Sequence, residues 1–228
     1  MTKSKSTVYF YIPKDISLLD LSGVVEVFQE ANNLGFDYEL KFISSESSIK
    51  SNSGLELSSL IHFSKTAPQK DDIVIISGFS TQQIDVLQEN DLFFSWLHKA
   101  NTNQTTLCSV CTGAFLLAKS GLLDHKECTT HWKLLEKLKN DFPLLKPQKN
   151  TLFTKSDNIY TSAGIVTGID LALFLIEERH GKDITNKIAK ELVVYKRRNG
   201  ADEQESVYLQ NRNHRDEKNS YYSGLDYL

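Results

Sequence analysis

Continuous apolar runs alternate along the chain with longer amphipathic segments. Three runs, at residues 7–12, 72–76 and 105–110, are rich in β-branched, aromatic and aliphatic side chains. Strands covered on both faces of a parallel sheet have this continuous hydrophobicity. We therefore predict that they are buried strands, with residues 7–12 in the middle of the sheet. Residues 38–43 alternate and predict a further strand.

Helical spacing of apolar residues marks most of the segments between the strands. In residues 18–35, Leu21, Val24, Val25 and Phe28 share one face, and Gly35 stands beyond the predicted helix end. The same spacing predicts helices towards the end of residues 80–100, with Leu92, Phe93, Trp96 and Leu97 inward, and over residues 133–139, 166–180 and 184–195. Two strands at residues 151–155 and 158–163 complete the set. This alternation predicts an α/β fold: a doubly wound, mostly parallel sheet with helices on both faces.

Residues 105–123, TTLCSVCTGAFLLAKSGLL, organise the chain because they change a strand into a helix with Cys111 at the bend. Thr112 and Gly113 open the helix, and Gly121 stands where it would end. A small residue near the bend is typical of a tight nucleophile elbow. A thiol there faces unpaired backbone N–H groups and the positive end of the helix dipole, so we expect its pKa to fall. The alternative is a buried cysteine that packs as a small hydrophobe.

The other cysteines do not favour redox or metal chemistry. Cys108 and Cys111 form a C-x-x-C pair, but Cys108 lies inside the strand pattern rather than at the helix start. No second Cys/His pair with zinc-ligand spacing is nearby. Three cysteines, with Cys128 the third, do not make a disulfide framework and fit a reducing compartment. We expect neither a metal nor a cofactor.

Two further polar residues are candidates for the site, each with a simpler structural interpretation. Asp20 lies just before the first predicted helix, either as its N-cap or as a carboxylate at the carboxyl end of a strand, where open α/β sheets bind ligands. His131 ends a predicted short strand at residues 128–132, either as a packed side chain beside Trp132 or as a catalytic group.

Composition and charge narrow the functional class. The chain has 228 residues, 40% of them hydrophobic, and a formal net charge of -3. It can therefore bury one large core, and it has no excess of basic residues that would attract nucleic acid or an anionic membrane. The charge balance therefore favours small molecules or protein partners as ligands. No transmembrane-length apolar run or signal peptide is present, so we expect a cytoplasmic protein. The domain is predicted over residues 1–209, followed by a polar tail at 210–228.

Four segments in a fixed order carry a family resemblance: LLDLSG at 18–23, SVCTGAFLLAKSGLL at 109–123, TTHW at 129–132 and SAGIVTGIDLAL at 162–173. Together they resemble the ThiJ/PfpI superfamily, whose fold is flavodoxin-like and class I glutamine-amidotransferase-like. Two branches are most similar: isonitrile hydratases, and the amidase-like sensor domains of AraC-type transcriptional regulators. Four ordered motifs are more specific than any one of them.

The resemblance implies roles for particular residues. Asp20 falls on the hydratase acid/base, Cys111 on its nucleophile and Thr112 on a supporting hydroxyl, while His131 resembles a histidine near the nucleophile. Thr112 stands where PfpI-type peptidases carry histidine, which argues against proteolysis through that dyad. Residues 77–79 read Ser-Gly-Phe instead of Pro-Gly-Gly, so we expect backbone N–H groups near Gly78 and Thr112 to stabilise developing negative charge.

The expected activity is a cofactor-free hydratase or amidase-like reaction on a small nitrogen-containing molecule. Cys111 would attack or orient the substrate, Asp20 would move the proton, and His131 would orient or protonate. The alternative is a sensor domain that binds an effector with the same groups. No helix-turn-helix follows in this sequence, so we do not expect DNA binding by this chain alone. The resemblance also implies a homodimer.

Overall fold

The computed structural model describes residues 6–86, 89–195 and 197–204. The strands are β1 (Ser6–Tyr11), β2 (Tyr38–Ser44), β3 (Ser48–Lys50), β4 (Glu56–Ser58), β5 (Ile61–His62), β6 (Ile73–Ile76), β7 (Thr106–Val110), β8 (Glu127–Cys128), β9 (Lys146–Pro147), β10 (Phe153–Ser156) and β11 (Ile159–Ser162). Seven of them form one sheet in the order β10-β11-β7-β6-β1-β2-β5. Within this sheet, β10 and β11 are antiparallel and all other neighbours are parallel.

The helices are α1 (Leu18–Asn33), α2 (Asp91–Thr102), α3 (Gly113–Lys119), α4 (Leu135–Asp141), α5 (Thr167–His180) and α6 (Lys182–Glu191). Buried side chains of α1, α5 and α6 pack on one face of the sheet. Those of α2, α3 and α4 pack on the other face. The predicted doubly wound, mostly parallel α/β fold is therefore confirmed.

Strand register brings the candidate residues to one edge of the sheet. Ile76 at the end of β6 pairs with Ser109, and Val110 at the end of β7 pairs with Ser162. Because β6, β7 and β11 are parallel and their last residues are paired or adjacent, the loops that follow these strands meet at the same edge of the sheet. Ligands bind at this edge in open α/β folds.

Several predicted element boundaries were wrong. Asp20 is the third residue of α1, not a residue before it, because the helix already begins at Leu18. One predicted orientation was wrong as well: Leu92 was expected to face inward, but it is 54% exposed. It lies off the i, i+3, i+4 stripe on which Phe93, Trp96 and Leu97 are buried. The strand expected to end at His131 stops at Cys128, because β8 pairs with only two residues of β9.

Among the described residues, no helix combines the length and the apolar character needed to cross a bilayer. Residues 197–204 follow α6 and belong to the described structure. The predicted tail at 210–228, and the predicted domain boundary at 209, lie outside the described residues.

The start of α3 provides a test of the packing. A Cβ atom at Gly113 would lie 2.4 Å from the carbonyl oxygen of Ile76. Gly113→Ala is expected to lower the free energy of unfolding by about 1–3 kcal/mol, since the backbone must shift. A Cβ atom at Gly23 would meet the flexible side chain of Ile169 at 2.9 Å. Gly23→Ala should therefore cost clearly less in urea unfolding, and equal losses would contradict this account.

Candidate functional site

Cys111 occupies a strained elbow at the end of β7. Its φ angle is +54°, an uncommon conformation for a residue with a side chain. Its amide donates to the carbonyl of Ser162 at 3.1 Å, which extends the pairing of β7 with β11. Its own carbonyl accepts the Thr130 hydroxyl at 2.8 Å. The predicted strand, turn and helix are therefore present, and hydrogen bonds to Ser162 and Thr130 fix the backbone of the turn.

Two glycines allow neighbouring loops to touch this elbow. A Cβ atom at Gly164, where φ is +97°, would lie 2.2 Å from the Cys111 Cβ atom. A Cβ atom at Gly78 would lie 2.9 Å from the Cys111 Cβ atom and 2.3 Å from Asp20 Oδ2. Both Cys111 and Asp20 therefore contact Gly78. The structure brings together these two residues, which are 91 positions apart in the sequence.

Asp20 is buried, with 1% of its surface exposed. Its Oδ1 accepts the backbone N–H of Ile165 at 2.5 Å. Burial raises the pKa of the Asp20 carboxyl, while the Ile165 amide, the Ser17 hydroxyl and the charge of His131 act in the opposite direction. Ile165 itself has a φ angle of +54°, an outlier for a β-branched residue. Backbone strain is thus present at both Cys111 and the residue that holds Asp20.

The Thr112 hydroxyl is committed to the loop after β6. It donates to the carbonyl of Phe79 at 2.8 Å and accepts the Phe79 amide at 2.6 Å. The backbone amide of Thr112 also lowers the pKa of Cys111. Thr112 therefore fixes the Gly78 loop beside the thiol. The Phe79 amide already has a hydrogen-bond acceptor in Thr112.

The expected low pKa of Cys111 was wrong. The pKa of this thiol is raised to about 12. Burial is the largest cause, and the negative charge of Asp20 adds to it. The Thr112 amide does favour the thiolate, but α3 has seven residues and the desolvation of the thiol outweighs its first turn. Near neutral pH, the group at the elbow is a thiol.

His131 lies at the border of the site. It is half-buried and precedes a short 3-10 turn, Trp132–Leu134. Its Nδ1 accepts the amide of Lys133 at 3.3 Å, so the neutral ring carries its proton on Nε2. Burial and then the charge of Lys133 lower the pKa of His131, while Asp20 raises it. His131 is therefore electrostatically linked to Asp20 and is neutral at pH 7.

Sequence reasoning missed three contributors to this arrangement. Ile165 holds the carboxylate, Gly164 allows the close approach, and Thr130 holds the Cys111 carbonyl. All three lie inside motifs that carried the family resemblance, but the motif letters do not show which backbone groups meet. No group of three or more His, Cys, Asp or Glu side chains among the described residues has a metal-binding arrangement.

A separate cavity of about 440 Å³ lies at the opposite, amino-terminal end of the strands. Its lining includes Ser6, Tyr38 and Thr106, which stand at or next to the first residues of β1, β2 and β7. The sheet therefore separates this cavity from Cys111 and Asp20.

The fold and the elbow define a family. Residues 6–178 match the DJ-1/PfpI family, so the chain belongs to it. The transcriptional regulator GbdR of Pseudomonas aeruginosa is 28% identical over 207 residues, which cover 89% of this chain and 54% of the regulator. Isonitrile hydratase of Pseudomonas putida is 28% identical over 185 residues, covering 80% of this chain and 76% of the hydratase. The chain thus spans about half the length of the regulator.

Solved structures agree on the fold. An AraC family transcriptional regulator from Pseudomonas putida superimposes with a TM-score of 0.72 at 19% identity, covering 82% of this chain and 99% of that structure. DJ-1beta of Drosophila melanogaster gives a TM-score of 0.71 at 18% identity, covering 83% and 98%. A regulator and another family member therefore share this architecture, so the architecture alone does not determine the function of the chain.

The raised pKa predicts how Cys111 reacts. Its alkylation by iodoacetamide should keep rising with pH beyond pH 10, because the thiolate fraction increases up to a pKa of about 12. Asp20→Asn removes the carboxylate and should lower this pKa, which increases the rate at pH 9 by roughly threefold to tenfold. Mass spectrometry resolves the site of alkylation.

Cys108 and Cys128 serve as internal controls for this measurement, since both are fully buried and should stay unmodified in the native protein. A rate of Cys111 alkylation that reaches its plateau near pH 7 would contradict the raised pKa. So would a slower reaction in Asp20→Asn.

Proposed function

We propose that this chain is a cofactor-free hydratase or amidase-like enzyme that acts on a small nitrogen-containing molecule through Cys111 and Asp20. The observation that carries the proposal is the contact of both side chains with Gly78, at the carboxyl ends of parallel strands. A thiol beside a buried carboxylate forms a pair in which a proton passes from nucleophile to base during attack.

The raised pKa of Asp20 suits such a pair. Burial disfavours both the Cys111 thiolate and the Asp20 carboxylate. The carboxylate is therefore a stronger proton acceptor than an exposed one, and the thiol stays protonated until a substrate is attacked. The thiol becomes nucleophilic when Asp20 accepts its proton. Asp20 then returns that proton to the substrate.

For an isonitrile, the balanced sequence has two steps. The Cys111 sulfur bonds to the terminal carbon, and the thiol proton reaches that carbon through Asp20, giving a thioimidate. Water then adds to the same carbon, the carbon–sulfur bond breaks, and an N-substituted formamide leaves while the thiol is restored. For an amide, the Cys111 sulfur would bond to the carbonyl carbon, the carbon–nitrogen bond would break and the leaving amine would take the proton. Water would then cleave the resulting thioester, which releases a carboxylic acid and restores the thiol.

The surroundings favour a neutral, partly apolar substrate. Asp20 repels an anionic ligand, and His131 is neutral at pH 7 because its pKa is lowered. Three apolar residues with exposed surface lie near Asp20. Leu19 precedes it in the chain and is 47% exposed; Ile165, whose amide donates to Asp20, is 41% exposed, and Val166, which follows Ile165, is 52% exposed. An apolar substituent on the nitrogen atom would find apolar surface close to the backbone amide that holds Asp20.

A second candidate function is an effector-binding domain of an AraC-type regulator. It is favoured by the alignment with GbdR over 89% of this chain and by the weak ionisation of the Cys111 thiol. In this function, Asp20 and the elbow would bind a ligand without a covalent step.

Turnover separates the two functions. Wild-type protein is screened with isonitriles, amides and α-oxoaldehydes, and product is measured by mass spectrometry. In the enzyme, Cys111→Ala and Asp20→Asn should each reduce kcat/KM at least about 100-fold, since each removes a group used in the covalent step. Cys128→Ala, a buried cysteine outside the site, should retain activity.

The opposite outcome is equally specific. Saturable ligand binding by calorimetry without turnover, preserved in Cys111→Ala, would establish the sensor and overturn the enzyme. Turnover that survives Asp20→Asn would remove the proposed acid/base. Neither binding nor turnover with any of these compounds would reject both functions for this set of ligands.

The proposal includes a cytoplasmic homodimer whose domain extends to residue 209. Free Cys108, Cys111 and Cys128 support a reducing compartment. Light scattering at micromolar concentration should give a mass of about twice 25.9 kDa. A monomer under these conditions would overturn the homodimer.

A further inference from the structure

Residues 197–204, called the strap below, pack against the domain next to the candidate site. The Arg198 guanidinium donates to both carboxylate oxygens of Asp170 on α5, at 3.3 and 2.5 Å. The Gly200 carbonyl accepts the Leu152 amide at 2.8 Å, ahead of β10. No larger residue fits at position 200 without a shift of the backbone, because a Cβ atom there would lie 2.6 Å from the Phe153 carbonyl oxygen. These contacts therefore hold the strap in one position on the domain.

Its last described residue, Gln204, reaches the turn that precedes His131. The side-chain Nε2 lies 2.9 Å from the Thr151 carbonyl, 3.2 Å from the Thr130 carbonyl and 3.3 Å from the Thr129 hydroxyl. Its backbone amide donates to Asn150 Oδ1 at 3.0 Å. A glutamine amide has two N–H groups, and here both are surrounded by acceptors.

Thr130 connects this contact to the thiol. While its carbonyl accepts from Gln204, its hydroxyl donates to the Cys111 carbonyl at 2.8 Å. Thr130 is fully buried, so these bonds are not exchanged with solvent. Three residues in series, Gln204, Thr130 and Cys111, therefore join the strap to the strained elbow. His131 follows Thr130 directly in the chain.

We propose that Gln204 is a positioning residue of the candidate site, which couples the strap to the Cys111 elbow through Thr130. By holding the Thr129–Thr130 backbone, Gln204 fixes the hydroxyl that supports the Cys111 carbonyl and sets the place of His131. Coupling is reciprocal: a change at Cys111 that moves Thr130 must loosen Gln204, and release of Gln204 must change the surroundings of Cys111.

The chemistry of the contact requires an amide donor. Gln204 faces the carbonyl oxygens of Thr130 and Thr151, which can only accept, besides the Thr129 hydroxyl. A carboxylate of the same shape would place its oxygens against both carbonyls without a hydrogen to donate. Gln204→Glu should therefore disturb the site at least as strongly as Gln204→Ala. This order would not follow if the side chain only filled space.

The test measures Cys111 alkylation by iodoacetamide across pH, resolved by mass spectrometry. Gln204→Ala and Gln204→Glu should change the rate of Cys111 alkylation by about threefold or more and shift its pH profile. The control is Asn150→Gly, which removes the acceptor of the Gln204 backbone amide and suits the φ angle of +53° at that position. This variant removes one bond of the Gln204 backbone but keeps the side-chain amide that contacts Thr130. Its Cys111 profile should therefore lie closer to wild type than that of Gln204→Ala, and an equal shift in the two variants would contradict the role of the side chain.

The reciprocal measurement uses hydrogen exchange. Alkylation of Cys111 in wild-type protein should increase amide exchange in residues 197–204, and this increase should be absent from Gln204→Ala, where the connection is already broken. If Gln204→Ala increases exchange in the strap but leaves the Cys111 profile unchanged, Gln204 is only a tether and the proposal is wrong.

Loss of folding would be recognised by circular dichroism, and the wild-type exchange measurement still decides the question in that case. An unchanged strap after Cys111 alkylation overturns the coupling. None of these readouts depends on turnover, so the coupling can be rejected while the proposed enzyme stands, and the reverse is equally possible.

Discussion

The site depends on the close approach of two backbone loops to one strained residue. Cys111 turns the chain from β7 into α3 with a positive φ angle, and such a turn persists only when its surroundings determine it. Gly78 and Gly164 supply these surroundings because each lies within contact of the Cys111 side chain. Ser162 and Thr130 then hold the amide and the carbonyl of the same residue.

The packing that creates the elbow also sets its electrostatics. Excluding water from Cys111 raises the pKa of the thiol more than the first turn of α3 lowers it, and the adjacent carboxylate of Asp20 acts in the same direction as burial. A reactive thiolate at rest is therefore not what this site provides. It provides a neutral thiol with a proton acceptor beside it, which supports chemistry in which ionisation and attack occur together.

Membership of the DJ-1/PfpI family places the chain among proteins with different functions. A hydratase and a regulator show the same 28% identity to it, and regulators share its fold. A shared fold does not decide between such functions, because function depends on the side chains of the site. One of these side chains is Thr112, whose hydroxyl binds both backbone groups of Phe79 beside Gly78.

The sequence by itself determined the fold class and the position of the elbow. Continuous apolar strands such as residues 72–76, and helical stripes such as that of α1, are local patterns that survive folding unchanged. The bend at residues 105–123 and the family resemblance also identified Cys111, Asp20 and His131 as candidates. Helix boundaries were less well determined, and Asp20 moved inside α1 because a contact of Ser17 with the distant Gly78 accompanies the helix start.

Only the tertiary structure decided the state of these residues. The direction of the Cys111 pKa shift depends on burial and on Asp20, 91 positions away, and neither is readable from the residues around the elbow. The contacts of Ile165 with Asp20 and of Gln204 with Thr130 join backbone groups to side chains, and backbone groups carry no sequence signal. Sequence periodicity reports which face of an element is buried, whereas these contacts depend on where separate loops end in space.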